Sequence, residues 1–201
     1  MKELYTIGHS TYEIDDFILL LKKNHIDTIV DVRSTPYSKF ASQYNRETLK
    51  QYLNKHNICY IFMGDLLGAR YEDSNLLNNG KVNFKKVQET ISFQNGIQRL
   101  DKGIAKGYNI SLMCSEKEAF DCHRFGLISE YIDKKLNDVH IKHIYPDKVL
   151  SHKDLENQLL KKYDKHIDYL GLETDRNPLE QAYAFRNEDI AYNAITKEGD
   201  D

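Results

Sequence analysis

The chain has 201 residues, enough for one domain of generous size and too few for two full ones. Hydrophobic residues make up 40% and charged residues 29%, which supplies a buried core and excludes a wholly disordered protein. Lys and Arg total 28 against 31 Asp and Glu, a net charge of −3, so nucleic-acid binding through bulk charge is excluded while a local basic groove is not. There is no apolar run of about 18 residues, and the opening MKELYTIGHS lacks the h-region of a signal peptide, so the expectation is a cytoplasmic protein with no membrane partner. Three cysteines, an odd number, read as free thiols or part of a site rather than as a disulfide framework.

Residues 4–7 form a short apolar segment stopped by Gly8, and 12–23 carry Ile14, Phe17, Ile18 and Leu21 at helical spacing: strand, turn, helix. Residues 27–32 are a second, β-branched run, followed by a polar loop with Pro36, and 46–56 place Leu49, Tyr52 and Leu53 on one helical face. Residues 58–63 read as a third strand, and the Gly-, Asn- and Asp-rich loop at 64–79 is long enough to suggest function. Residues 83–106 are helical, with a break expected near Gly96. A fourth strand follows at 108–114, a helix at 120–136, and a fifth strand at 139–145, stopped by Pro146.

This alternation predicts an α/β fold over residues 1–146, Rossmann-like and three-layered, with a mostly parallel sheet of about five strands. Residues 147–201 read as a C-terminal helical extension: Ser151 caps a helix with Leu155, Leu159 and Leu160 on its apolar side, then comes a polar stretch without clear period, and the end at 197–201 looks frayed.

In an open α/β sheet, ligands bind outside the carboxyl ends of the strands, where loops and helix N-termini supply side chains and unpaired N–H groups. Every chemically loaded cluster here falls at such an end: Gly8-His9-Ser10, Asp31-Val32-Arg33-Ser34, and Cys114-Ser115-Glu116, with Asp121-Cys122-His123-Arg124 at the start of the next helix. Cys114 closes a strand, where a cysteine either packs as a small apolar residue or serves as a thiol. Cys122, beside His123 and Arg124 at a helix start, has the surroundings that favour a thiolate. His9 and His123 suit proton transfer, because imidazole titrates near neutral pH. Ser10 either caps the following helix or touches a ligand.

Asp31 and Arg33 point the same way from a strand end and either pair with each other or address one ligand. The loop that follows adds Ser34, Ser38 and Lys39 and reaches Asn45 and Arg46, a donor set suited to a phosphate or carboxylate. The candidate catalytic residues are therefore His9, Cys114, Glu116, Cys122 and His123. The candidate substrate-binding residues are Ser10, Asp31, Arg33, Ser34, Ser38, Asn45 and Arg124.

A P-loop and a dinucleotide glycine fingerprint are both missing, so no cofactor is read from the letters. A phosphatase-type loop needs Arg six residues after its Cys, and Phe120 stands there despite the rhodanese-like Asp-Val-Arg. Cys114, Cys122, His123 and His9 can in principle converge on zinc, but a separation of eight between the cysteines is not the short spacing of common structural sites, and no metal is assigned.

Thr6-Ile7-Gly8-His9-Ser10, Asp31-Val32-Arg33-Ser34 with Pro36 and Ser38, Asn45, Leu67-Gly68, and Cys114-x-Glu116 leading to Cys122-His123-Arg124, in that order, resemble the bacterial domain-of-unknown-function family 488. The resemblance covers about residues 3–145; Ala69 and Ala119 stand where the pattern usually has a glycine and often a proline. It implies a Rossmann-like domain and a shared site built from these motifs, and no particular reaction. Three readings follow: an enzyme with a Cys/His/Arg site acting on a small anionic or nucleotide-like substrate; a non-catalytic nucleotide or nucleic-acid binding module whose Arg33, Lys39, Arg46 and Arg70 contact phosphates; and a small metal site.

Overall fold

The computed structural model describes residues 2–195, so the frayed end expected at 197–201 lies outside the described residues. The chain runs through β1 (Lys2–Gly8), α1 (Ile14–Lys23), β2 (Thr28–Asp31), α2 (Arg46–Lys55), β3 (Cys59–Phe62) and α3 (Gly64–Leu67). A small hairpin of β4 (Leu77–Asn78) and β5 (Lys81–Val82) leads into α4 (Phe84–Gln88), α5 (Ile91–Ala105) and β6 (Ile110–Cys114). A wide π turn at Arg124–Ser129 opens into α6 (Glu130–Lys135), followed by β7 (Val139–Ile144), β8 (Val149–Ser151), α7 (His152–Tyr163) and α8 (Pro178–Ile190).

The main sheet has six strands in the order β3-β2-β6-β1-β7-β8, parallel except for β8, which runs antiparallel to β7. This is a Rossmann-like α/β architecture with one strand more than the sequence suggests. β2 and β6 are buried at every residue, as parallel strands covered on both faces must be. Alternate residues feed two cores. Leu4, Val30, Leu112 and Ile141 meet Phe93, Ile97 and Leu100 of α5 on one face, while Ile7, Ile29 and Met113 meet Phe17 and Leu21 of α1 and Leu49 and Leu53 of α2 on the other. A third cluster joins Ala119, Phe125 and Tyr145 to Leu155 and Leu159 of α7 and to Tyr183 of α8, so the C-terminal helices pack on the segment between β6 and β7. No described helix is long and apolar enough to cross a membrane.

Three local expectations change. Helix α1 starts after Glu13, not at a Ser10 cap; Ser10 adopts a left-handed conformation, φ 48°, and turns the chain before the helix. The break in residues 83–106 falls at Glu89-Thr90, because the Thr90 hydroxyl accepts the Phe93 N–H at 3.2 Å and starts a new helix, while Gly96 lies inside α5 against Leu67. The helix α8 was hidden in the stretch without period because much of its buried face is polar, with Gln181, Arg186 and Asn187 beside Ala182 and Tyr183.

Candidate functional site

The carboxyl ends of β1, β2 and β6 lie side by side, with β6 in the middle. The backbone N–H groups of His9 and Val32 donate to the carbonyls of Cys114 and Met113 at 3.0 and 3.1 Å, and Ser10 N–H donates to Ser115 at 2.9 Å. These bonds clamp the end of β6 from both flanks. A Cβ at Gly8 would run into the Glu116 carbonyl oxygen, so a glycine is what lets β1 pass the turn that carries Glu116. The chain then makes a 3₁₀ turn at Ala119–Asp121 and an extended step at Cys122 (φ −133°, ψ 147°). The helix expected from residue 120 begins instead as the π turn at Arg124, a geometry that often accompanies functional sites. Arg186 of α8 braces this return, donating to the Phe120 carbonyl at 3.0 Å and pairing with Asp121.

The return places Cys122 and His123 against Cys114. The His123 Nδ1 lies 3.7 Å from both sulfurs, and the Cys122 Sγ lies 3.1 Å from Glu116 Oε2. The other His123 nitrogen, Nε2, sits 3.1 Å from the Val32 carbonyl, so it carries a proton and donates there, leaving Nδ1 facing the thiols. Arg124, 1% exposed, donates to the Glu116 and Lys117 carbonyls at 2.8 and 3.0 Å, while its Nε has no partner among the described residues.

These groups set one another's charge. Burial and the adjacent Cys122 push the Cys114 thiol well up. Burial also acts to raise Cys122, but the Cys114 thiol, Arg124 and His123 outweigh it and hold Cys122 well below the usual thiol range. His123 is raised: burial opposes its charge, and the Cys122 thiolate outweighs burial. The carboxyl of Glu116, whose Oε2 lies against Cys122, is raised by desolvation and then by that thiolate.

A second polar network adjoins the first. Asp31, fully buried, accepts from Arg33 Nε at 2.9 Å, Arg33 Nη2 at 2.6 Å, the Arg33 backbone N–H at 3.1 Å and the Tyr60 hydroxyl at 2.7 Å. Arg33 Nη2 also donates to the Tyr44 carbonyl at 2.8 Å, and Nη1 lies 3.1 Å from His9 Nε2. His9 Nδ1 donates to the Ser10 carbonyl at 2.7 Å, so Nε2 is the acceptor for Arg33, and the ring stacks on Tyr44 at 4.1 Å between centroids. Burial, reinforced by the Arg33 charge, pushes His9 down to about 4.

Beside both networks opens a cavity of about 190 Å³. Of the candidates from the sequence, Arg33, Ser34, Cys114, Glu116, Cys122 and His123 line it, whereas His9, Ser10, Asp31, Ser38, Asn45 and Arg124 do not. The Asn45 Oδ1 accepts the Ser38 N–H at 2.7 Å, and the Ser38 hydroxyl accepts the Phe40 and Ala41 N–H groups, so these two residues shape their own loop. The Ser34 hydroxyl accepts from Ala69 and Arg70 N–H at 3.0 and 3.1 Å, drawing the loop after α3 onto the cavity rim. There Arg70 lies over Tyr192, 5.5 Å from its ring centroid, and makes no ion pair among the described residues. Ile190 and Tyr192, which complete the wall, carry no sequence signal of a site.

The family model for a domain of unknown function, DUF488, matches residues 13–132, a span that includes the second strand motif and the whole Cys-x-Glu to Cys-His-Arg segment. No curated protein and no solved structure matches the chain.

Proposed function

The chain belongs to the DUF488 family, a domain of unknown function, and from the geometry of its site we propose that it is an enzyme acting on the anionic end of a small or nucleotide-like substrate. One observation carries this reading: two cysteines, a histidine and a carboxylate converge beside a cavity whose rim holds Arg70, a cation with no ion pair among the described residues. In this reading Arg70 and the Ser34 hydroxyl hold the anion, and the cluster of Cys114, Glu116, Cys122 and His123 acts on the reacting atom. Asp31, Arg33 and His9 are positioning residues that fix the end of β2 beneath it.

Size narrows the substrate. The cavity is small, about 190 Å³. It falls short of the roughly 300 Å³ at which pockets for drug-sized ligands begin, so it encloses a phosphate or carboxylate with a few flanking atoms, and because it opens to solvent the rest of a larger ligand lies outside it. The binding-only alternative draws on Arg33, Lys39, Arg46 and Arg70. Arg33 is committed to Asp31, Tyr44 and His9, Arg46 lies over the Phe62 ring at 4.4 Å, and neither Arg46 nor Lys39 lines the cavity.

The test is thermal denaturation with inorganic phosphate and with nucleoside 5′-monophosphates. A ligand at 100 times its Kd stabilises the parent by about 2.7 kcal/mol, and Arg70→Ala loses that response while Cys59→Ser keeps it. A parent indifferent to every anion, or an Arg70→Ala variant that responds like the parent, contradicts the reading.

A further inference from the structure

We propose that Cys114, Cys122, His123 and Glu116 bind a single Zn²⁺ ion, which makes this edge of the sheet a metal centre. The inference rests on the reading of the same cluster as the reacting part of the site.

Both sulfurs stand from His123 Nδ1 at the spacing that one shared ion requires. One ligand atom from each of the four residues lies within 4.8 Å of all the others. Zinc at about 2.3 Å from sulfur and about 2.05 Å from nitrogen, in a tetrahedron, places S and N about 3.6 Å apart. Both sulfurs stand 3.7 Å from His123 Nδ1. Glu116 Oε2, at 3.1 Å from Cys122 Sγ, is closer than a shared ion allows, so the carboxylate moves outward on binding, toward the solvent side on which Glu116 is exposed. Glu116 is thus the loosest of the four ligands.

Two features outside the four ligands support the site. The His123 Nε2 donates to the Val32 carbonyl at 3.1 Å, the outer-shell bond that fixes a ligating imidazole in its tautomer and aims Nδ1 at the ion. The charge also balances: two thiolates, a carboxylate and a divalent ion leave one negative charge, and the buried Arg124 guanidinium, held on the Glu116 and Lys117 carbonyls, lies beside the cluster to offset it. Two thiolates and an imidazole select zinc over magnesium or calcium, which take oxygen ligands. Three firm ligands with an exchangeable fourth at a cavity is the pattern of a catalytic rather than a closed structural centre. A second group, Asp133, His152 and Glu156, is also compact, but its histidine already spends both nitrogens, on His143 at 3.2 Å and Tyr183 at 3.0 Å.

The deciding experiment is elemental analysis of untagged full-length protein, followed by titration of the chelator-stripped chain with Co²⁺, read by thiolate-to-metal absorption. We expect about one zinc per chain as purified and a saturable cobalt signal of equal stoichiometry. Affinity falls at least tenfold in Cys114→Ser and in Cys122→Ser, falls less in Glu116→Gln, and is unchanged in Cys59→Ser, whose thiol is exposed elsewhere. Absence of the thiolate signal in stripped parent protein that circular dichroism shows to be folded overturns the proposal, and that readout needs no variant to fold. Survival of the signal in the Cys114→Ser/Cys122→Ser double variant also overturns it. Phosphate binding that depends on Arg70 without any metal would sink this inference and leave the enzyme reading standing; metal binding without an anion response would do the reverse.

Discussion

Two polar clusters sit at the same edge of the sheet, and they use their valence differently. Around Asp31, both carboxylate oxygens, the Arg33 fork, both His9 nitrogens and the Tyr60 hydroxyl are paired within the chain. Around Cys122, the one short contact is from its Sγ to Glu116 Oε2 at 3.1 Å, while both sulfurs stand 3.7 Å from His123 Nδ1 beside a cavity. A closed network holds a backbone in place; an open one has capacity left for a ligand. The same residue types, His and Arg beside an acid, therefore carry different expectations according to whether their partners are already spent.

The largest effect that distinguishes the clusters is on stability. Asp31→Ala strands the buried Arg33 charge and costs about 3–5 kcal/mol in urea denaturation, whereas Cys122→Ser costs the metal-free fold about 1 kcal/mol. The opposite ranking would show that the thiol cluster is the structural one.

Acid probes the closed network next. The folded chain holds His9 at about 4, whereas the unfolded chain titrates it near 6.5. Between those values the unfolded chain takes up a proton that the folded chain refuses. The stability is therefore intact above pH 6.5, declines as pH falls, and is down by about 3 kcal/mol from this residue once pH is below 4. His143 and His152, both lowered first by burial, act in the same direction. His9→Gln should flatten the stability curve over that window by its own share, and an unchanged slope would place the acid sensitivity elsewhere.

The smallest effect concerns the loop. Asn45→Ala removes one hydrogen bond to the Ser38 N–H, costs about 1 kcal/mol, and leaves the phosphate response of the parent unchanged. A lost response would bring that loop back into the site.

Much of this was legible in the sequence where a period or a motif existed. The five parallel strands of the sheet follow from their apolar runs, and the three strand ends that carry chemistry follow from where those runs stop. β8, with three residues, is too short to show a pattern. The α8 helix could not be found by apolar spacing because Gln181, Arg186 and Asn187 occupy its buried face, and with it went the brace of Arg186 on Asp121 and the wall at Ile190 and Tyr192. The cysteine separation of eight argued against zinc because short spacing presumes that one turn carries both ligands. Here the strand end and the chain's return after the 3₁₀ turn bring Cys114 and Cys122 together from separate elements.

An ion held by Cys114 and Cys122 would shield both thiols from reagents while it stays bound. The most direct test is cysteine-resolved alkylation of native protein by peptide mapping, with and without a chelator. Exposed Cys59 should label at once in both conditions, and Cys114 and Cys122 should label only after the chelator is added, while the chain is still folded. Protection that the chelator leaves untouched and only unfolding releases would contradict the account, making both thiols part of the packing.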